Sequence, residues 1–229
     1  MIGVYDYTVV LTYLSLISAF CGIVLSLSGT GHPYIGIFFL LFSGLLDAFD
    51  GIVARTKKNR TDEEKRFGIQ IDSLADLVAF GVLPACIGIA CLKVAPFASS
   101  VSLFDSDLSY WYVKIPFALI ALFYVLAALI RLAHFNVAEE TRQKSEGGVR
   151  KFYTGLPVTS SAVIFPTLML VQYLIPADLS FLYMPVLLIT GLCFLLKFRI
   201  PKMSFKGILI TIGICLIECI AVGIFILSK

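Results

Sequence analysis

Apolar residues along this chain gather into blocks. Each block approaches the roughly 20 residues that an α-helix needs to cross a bilayer. Seven blocks stand out, near Tyr7–Leu27, Pro33–Arg55, Gly68–Leu92, Tyr112–Phe135, Leu156–Ile175, Phe181–Phe198 and Phe205–Leu227. The fifth and sixth are parted only around Pro176-Ala177-Asp178, which predicts a tight helical hairpin. The pattern predicts an all-α fold, a polytopic transmembrane helical bundle. No internal repeat, low-complexity tract or long linker divides it, so residues 1–229 read as one integral membrane domain.

Composition strengthens this reading. Hydrophobic residues make up 59% of the chain and charged residues 14%, against about 25% charged in ordinary globular proteins. Too few charges remain to clothe a water-soluble domain of this size. The first residues carry no Lys or Arg and no small-residue cleavage pattern follows, so the first block reads as a retained helix. Cys21, Cys86, Cys91, Cys193, Cys215 and Cys219 all lie inside apolar blocks without a zinc-type spacing, and read as small apolar residues.

The net charge of +3 matters less than its distribution. Lys57, Lys58, Arg60, Lys65 and Arg66 lie between the second and third blocks; Arg142, Lys144, Arg150 and Lys151 between the fourth and fifth; Lys197, Arg199, Lys202 and Lys206 around the loop after the sixth. The positive-inside rule puts these three loops and the N-terminus in the cytoplasm. They would face the anionic leaflet and attract anionic ligands. Tyr110, Trp111 and Tyr112 read as an interfacial aromatic belt on the opposite side.

Four acids at the cytoplasmic ends of the second and third blocks are costly at that depth. Asp47 and Asp50 are three apart, Asp72 and Asp76 four apart, so each pair shares a helical face. Brought together, they would repel one another unless cations intervene. All-oxygen ligands suit Mg²⁺ or Mn²⁺, and two such ions would clamp a phosphoryl transfer. Neither His32 nor His134 is spaced to join them, which argues against zinc. Pairing with Arg55 and Arg131, or helix capping, is the structural alternative.

Written out, the stretch is Asp47-Ala-Phe-Asp50-Gly51-Ile-Val-Ala54-Arg55, a twelve-residue spacer, then Gly68-Ile-Gln-Ile-Asp72-Ser-Leu-Ala-Asp76. Gly51, Ala54 and Gly68 are small enough for a nucleotide to approach closely, and Arg55 can hold a phosphate in a bidentate grip. The eight fixed positions resemble the signature of the CDP-alcohol phosphotransferase family, DxxDGxxAR…GxxxDxxxD. The spacer, about eight residues in the family, is longer here and is expected to lengthen a cytoplasmic loop. Three further stretches resemble the phosphatidylserine synthases of that family: Asp72 to Pro84, Arg131-Leu-Ala-His-Phe-Asn136, and Phe152-Tyr-Thr-Gly-Leu-Pro157. In Thr12-Tyr-Leu-Ser15, Ser15 stands where many members have asparagine.

The resemblance implies a six-helix core, here with about one extra span, in a cell membrane of prokaryotic type. It implies two divalent cations, Mg²⁺ or Mn²⁺, on Asp47, Asp50 and Asp72, with Asp76 as general base and a possible further metal contact. Gly51, Ala54, Arg55 and Gly68 would receive the CDP moiety. Arg131, Asn136, Lys151 and Tyr153 are candidates for the acceptor or a phosphate; the alternatives are snorkelling or ion pairing for Arg131, membrane-edge anchoring for Lys151 and Tyr153, and helix capping for Asn136. Glu218 is expected to bond a neighbouring helix. The implied partners are CDP-diacylglycerol, L-serine, membrane lipids and a second copy in a homodimer, with no nucleic acid. Two rivals stay open: the same chemistry with glycerol 3-phosphate, inositol phosphate or diacylglycerol as acceptor, and a cation transporter that uses the four carboxylates as an ion site.

Overall fold

A computed structural model describes residues 3, 6–28, 33–54, 56–57, 59–92, 111–145, 152–174 and 182–201, with isolated positions 213, 217 and 220. A single 3₁₀ turn, Tyr7–Val9, leads into α1 (Val10–Leu27), followed by α2 (Ile35–Ala54). Next come α3 (Asp62–Asp76), a π-helical stretch Leu77–Val82, and α4 (Leu83–Cys91), which run on as one helical rod. The remaining helices are α5 (Trp111–Ser145), α6 (Ser161–Leu174) and α7 (Tyr183–Leu195). Four helical segments are long and apolar enough to cross a membrane: Tyr7–Leu27, Ile35–Ala54, Asp62–Cys91 and Ile115–Thr141. Val158–Gln172 and Tyr183–Leu195 are shorter apolar helices. The chain is an integral membrane helical bundle. Apart from the isolated positions 213, 217 and 220, the expected seventh span lies outside the described residues, as do Glu218 and the hinge at Pro176-Ala177-Asp178.

The bundle turns apolar side chains outward as well as inward. Ile17, Phe20, Leu74, Leu122 and Ile130 are exposed, which suits a surface solvated by lipid. Inward, α1 presents small and hydroxylated residues to α2: Thr12, Ser15, Ser18, Ala19, Gly22 and Ser26 are buried. Helices in lipid gain little from burying more hydrocarbon, so close backbone approach and interhelical hydrogen bonds take over. Ser15 Oγ donates to Ser43 O at 3.4 Å, and Ser43 Oγ donates back to Ser15 O at 3.1 Å. Ser18 Oγ donates to Phe39 O at 3.0 Å.

Two helix boundaries and one pairing differ from expectation. The twelve-residue spacer is loop only in its first half. Thr61 opens α3 with a capping box, its Oγ1 accepting from the Glu64 N–H at 3.2 Å while Glu64 Oε2 accepts from the Thr61 N–H at 2.8 Å. Acids at Asp62, Glu63 and Glu64 then favour the positive end of the helix. The inserted residues therefore extend a helix outward. Helix α5 likewise continues ten residues past Phe135, through a polar stretch made largely of good helix formers. A two-stranded antiparallel ribbon also joins β1 (Phe152–Thr154) to β2 (Arg199–Pro201), tying the segment before α6 to the one after α7.

The π stretch has an identifiable partner. Pro84 has no N–H, so the Phe80 carbonyl loses the donor that an α-helix would supply. Tyr124 Oη, fully buried on α5, donates to Phe80 O at 2.8 Å. Tyr183 Oη on α7 donates to Pro84 O at 3.2 Å. Around these hydroxyls the rings of Tyr124, Phe165, Tyr183 and Phe194 form an aromatic core, with Phe165 and Tyr183 stacked at 4.9 Å.

Candidate active site

The π stretch begins directly after Asp76, so the carboxylates sit where the regular helix ends. From α2, Asp47 and Asp50 face the α3 rod. From α3, Asp72 meets them, and ligand oxygens of Asp47, Asp50 and Asp72 lie within 4.8 Å of one another. All three are half-buried. Asp76, one turn beyond Asp72, stands outside that tight triad but within electrostatic reach of Asp47, Asp72 and Asp50. Thr12 of α1 reaches the group from the third side, its Oγ1 donating to Asp50 Oδ2 at 3.3 Å.

Like charges this close need compensation. The described ion pairs, Lys57 with Asp6 and Glu64 and Lys65 with Asp62, lie away from the cluster. Carboxylate oxygens from two helices, converging without a nitrogen or sulfur ligand among the described residues, fit a hard divalent cation.

The other predicted residues fall into groups. Gly51 and Ala54 occupy the last turn of α2, just past Asp50, and Gly68 lies one turn before Asp72 on α3. Arg55 and Lys151 lie outside the described residues; Tyr153 lies in β1, but its side chain is not described. Asn136 is not at a helix end. It sits within α5 and donates from Nδ2 to Ser73 Oγ at 2.8 Å, tying α5 to α3 beside Asp72. Arg131 is buried and does not snorkel: its Nε donates to Leu156 O at 2.8 Å and an Nη to Gly155 O at 3.1 Å.

These last contacts explain the Phe152–Pro157 stretch. Gly155 has φ +77°, and a Cβ there would meet Leu196 O at 2.7 Å. Its N–H donates to Phe198 O at 2.6 Å, continuing the ribbon, while its carbonyl turns to Arg131. Glycine is the residue that adopts this conformation without strain.

At the loop end of the site, Lys57 Nζ donates to Asp6 Oδ2 and to Glu64 Oε1, both at 3.0 Å. It joins the start of α1, the α2–α3 loop and the start of α3. This hydrogen bond to Lys57 holds the Asp6 carboxyl below the usual carboxylate range, helped by bonds from Thr8 and the Tyr7 N–H. Glu64 and then Asp6 raise the Lys57 ammonium above its ordinary value.

Thr12, Ser73 and Tyr124 had not been singled out as individual contributors. For Tyr124 a signal exists: a proline inside an apolar helix implies a donor from elsewhere for the carbonyl four residues back. Thr61-x-x-Glu64 likewise marks the true start of α3. The contacts of Thr12 and Ser73 depend on helix rotation, which composition does not reveal.

The fold and site together define a membrane helical bundle with a carboxylate cluster suited to divalent-cation phosphate chemistry. Residues 8–216 match the CDP-alcohol phosphatidyltransferase family, and the chain belongs to it. The family is metal-dependent, in keeping with the aspartate cluster. Among similar proteins is the CDP-diacylglycerol–serine O-phosphatidyltransferase of Saccharomyces cerevisiae, 35% identical over 67% of this chain and 50% of that protein. A protein of the same name from Bacillus subtilis is 31% identical over 81% of this chain and 82% of its own length. The archaetidylserine synthase of Methanothermobacter thermautotrophicus is 29% identical over 77% and 63%. The match thus spans about half of the yeast relative and most of the bacterial one.

Proposed function

We propose that this chain transfers the phosphatidyl group of CDP-diacylglycerol to L-serine, giving phosphatidylserine and CMP. The observation that carries the reading is the meeting of Asp47, Asp50 and Asp72 across two helices, within all eight positions of the family signature. The names of the relatives favour serine, and that of the archaeal one pairs serine with a different lipid.

In this reading the whole chain is one catalytic domain. CDP-diacylglycerol enters sideways, with its acyl chains in lipid and its nucleotide toward the basic loops. Asp47, Asp50 and Asp72, with Asp76 as a further contact, hold two divalent cations, Mg²⁺ or Mn²⁺. When bound, these supply positive charge against the diphosphate and the departing CMP. Gly51 and Ala54 leave room for the nucleotide, Gly68 seats the Arg60 side chain, and Arg55 grips a phosphate. Asp76 accepts the proton of the serine hydroxyl. The serine oxygen bonds to the phosphorus that bears diacylglycerol, the bond from that phosphorus to the bridging oxygen breaks, and CMP leaves with the electron pair. Lys151 and Tyr153 form the acceptor side, while Arg131 and Asn136 shape it from α5 through their bonds to Gly155, Leu156 and Ser73. We assign the site to the cytoplasmic face of a prokaryotic cell membrane, with the N-terminus inside, from the basic loops, and we expect a homodimer.

The test measures CMP release from CDP-diacylglycerol by the purified chain, with Mn²⁺ or Mg²⁺ and with serine or glycerol 3-phosphate, beside Asp76→Asn. Release that needs serine and metal and is lost in the variant is expected. Release with glycerol 3-phosphate alone would overturn the acceptor; metal flux without nucleotide turnover would revive the ion-site rival.

A further inference from the structure

Gly68 was expected to leave its missing side chain's space to a nucleotide. The structure shows another group there. A Cβ on Gly68 would meet an Nη of Arg60 at 2.7 Å and its Cζ at 3.8 Å. The guanidinium lies over the bare backbone of the motif glycine. It is anchored from below, with the same Nη donating to Glu64 O at 3.2 Å. Its Nε is buried and has no acceptor among the described residues.

Three observations give this arrangement a direction. Glu64, Gly68, Asp72 and Asp76 succeed one another at four-residue steps along α3, a single stripe rising about 6 Å per step. Arg60 therefore stands on the stripe that carries the carboxylates, one step outward from Asp72. The Glu64 side chain does not answer it: its two carboxylate oxygens accept from Lys57 Nζ and the Thr61 N–H. Finally, the capping box at Thr61 fixes the residue after Arg60, so the arginine is delivered onto the stripe by an ordered turn. A half-buried guanidinium whose Nε is unpaired among the described residues, beside a metal-type carboxylate cluster, is suited to receive an anion. Its planar fork suits phosphate oxygens.

We propose that Arg60 binds a phosphate oxyanion of the nucleotide at this site, a contact supplied by the lengthened segment between Arg55 and Gly68. The proposal rests on the nucleotide-binding reading above, but not on serine as the acceptor.

The test uses the full chain in detergent with Mn²⁺ and follows thermal unfolding against added CMP, cytidine or inorganic phosphate, for wild type, Arg60→Gln and Arg60→Lys. The CMP midpoint is expected to rise about tenfold in Arg60→Gln, the worth of one charge-assisted contact. Arg60→Lys should keep part of the affinity, while cytidine and the Mn²⁺-induced shift stay as in wild type. Loss of inorganic-phosphate stabilisation in parallel with CMP would confirm the phosphate as the group held. An unchanged CMP midpoint in Arg60→Gln would overturn the proposal, as would equal weakening of CMP and cytidine. Tighter CMP binding would make Arg60 a plug over Gly68, and loss of the Mn²⁺ shift would make it structural; either refutes the assignment. If wild type shows no response to CMP, the nucleotide reading falls and takes this proposal with it. If the Arg60 effect holds while serine fails to support CMP release, only the acceptor falls.

Discussion

The α2–α3 face and the aromatic core around Tyr124 hold the same helical rod by opposite means. At one end, Asp47, Asp50 and Asp72 bring like charges within 4.8 Å of one another. Without a bound cation, mutual repulsion among them would oppose folding. At the other end, Tyr124, Phe165, Tyr183 and Phe194 pack ring on ring, and two tyrosine hydroxyls close the carbonyls of Phe80 and Pro84. The second region satisfies its polar groups and packs its rings; the first leaves its carboxylates to an incoming ligand.

The largest expected effect breaks the chemistry and spares the fold. Asp76→Asn should lower turnover by roughly 10²–10⁴-fold, the usual range for a general base. Asp72→Asn should abolish the Mn²⁺-induced rise in melting temperature, yet melt higher than wild type in EDTA, because one repelling charge is gone. A lower melting point in EDTA would show that the cluster contributes to stability without metal. Phe165→Ala attacks the other region and should cost about 3–5 kcal/mol, read as a large fall in melting temperature with the metal response retained. Gly155→Ala is next: a side chain at positive φ costs about 1–2 kcal/mol, before its contact with Leu196 O, and loosening of the Arg131 anchor should follow. An alanine variant as stable as wild type would deny that the turn constrains the ribbon.

The smallest effect concerns Asp6 and Lys57. Asp6 has a lowered pKa when folded, so its stabilisation is complete above its ordinary value of 3.8 and fades as pH falls through the lowered one. Lys57 has a raised pKa, so its share is complete below 10.5 and fades as pH rises through the raised value. The difference in melting temperature between wild type and Asp6→Asn should therefore be flat near neutrality and vanish in acid. A difference that persists below the folded pKa of Asp6 would assign the effect to the cap on Tyr7 rather than to the ion pair.

The first four spans and the carboxylate cluster were legible in the sequence, because block length and three- or four-residue spacing translate directly into helices and faces. The shorter α6 and α7 were placed but drawn too long, since an apolar run does not reveal where the backbone leaves the helix. Helix α5 was drawn too short, because hydropathy stops at Phe135 while helix propensity does not. The Phe152–Pro157 stretch and Asn136 were noticed for their resemblance, and the contacts now seen are structural: a left-handed glycine, a guanidinium on two carbonyls, an amide on Ser73. Such uses depend on which groups meet across sequence-distant segments, which local pattern does not encode.

The π stretch makes the rod two shafts joined out of phase. A wide turn takes in more residues than an α-turn, so side chains beyond Val82 point where a straight helix would not send them. Each residue added or removed turns an α-helix by about 100°. Membrane-half contacts with α5 and α7 can thus be tuned without rotating Asp72 and Asp76 relative to α2. A one-residue deletion within Leu77–Val82 would act as a change of gearing: the aromatic core could stay seated only by swinging the carboxylates off their partners, with all four aspartates still present in the chain.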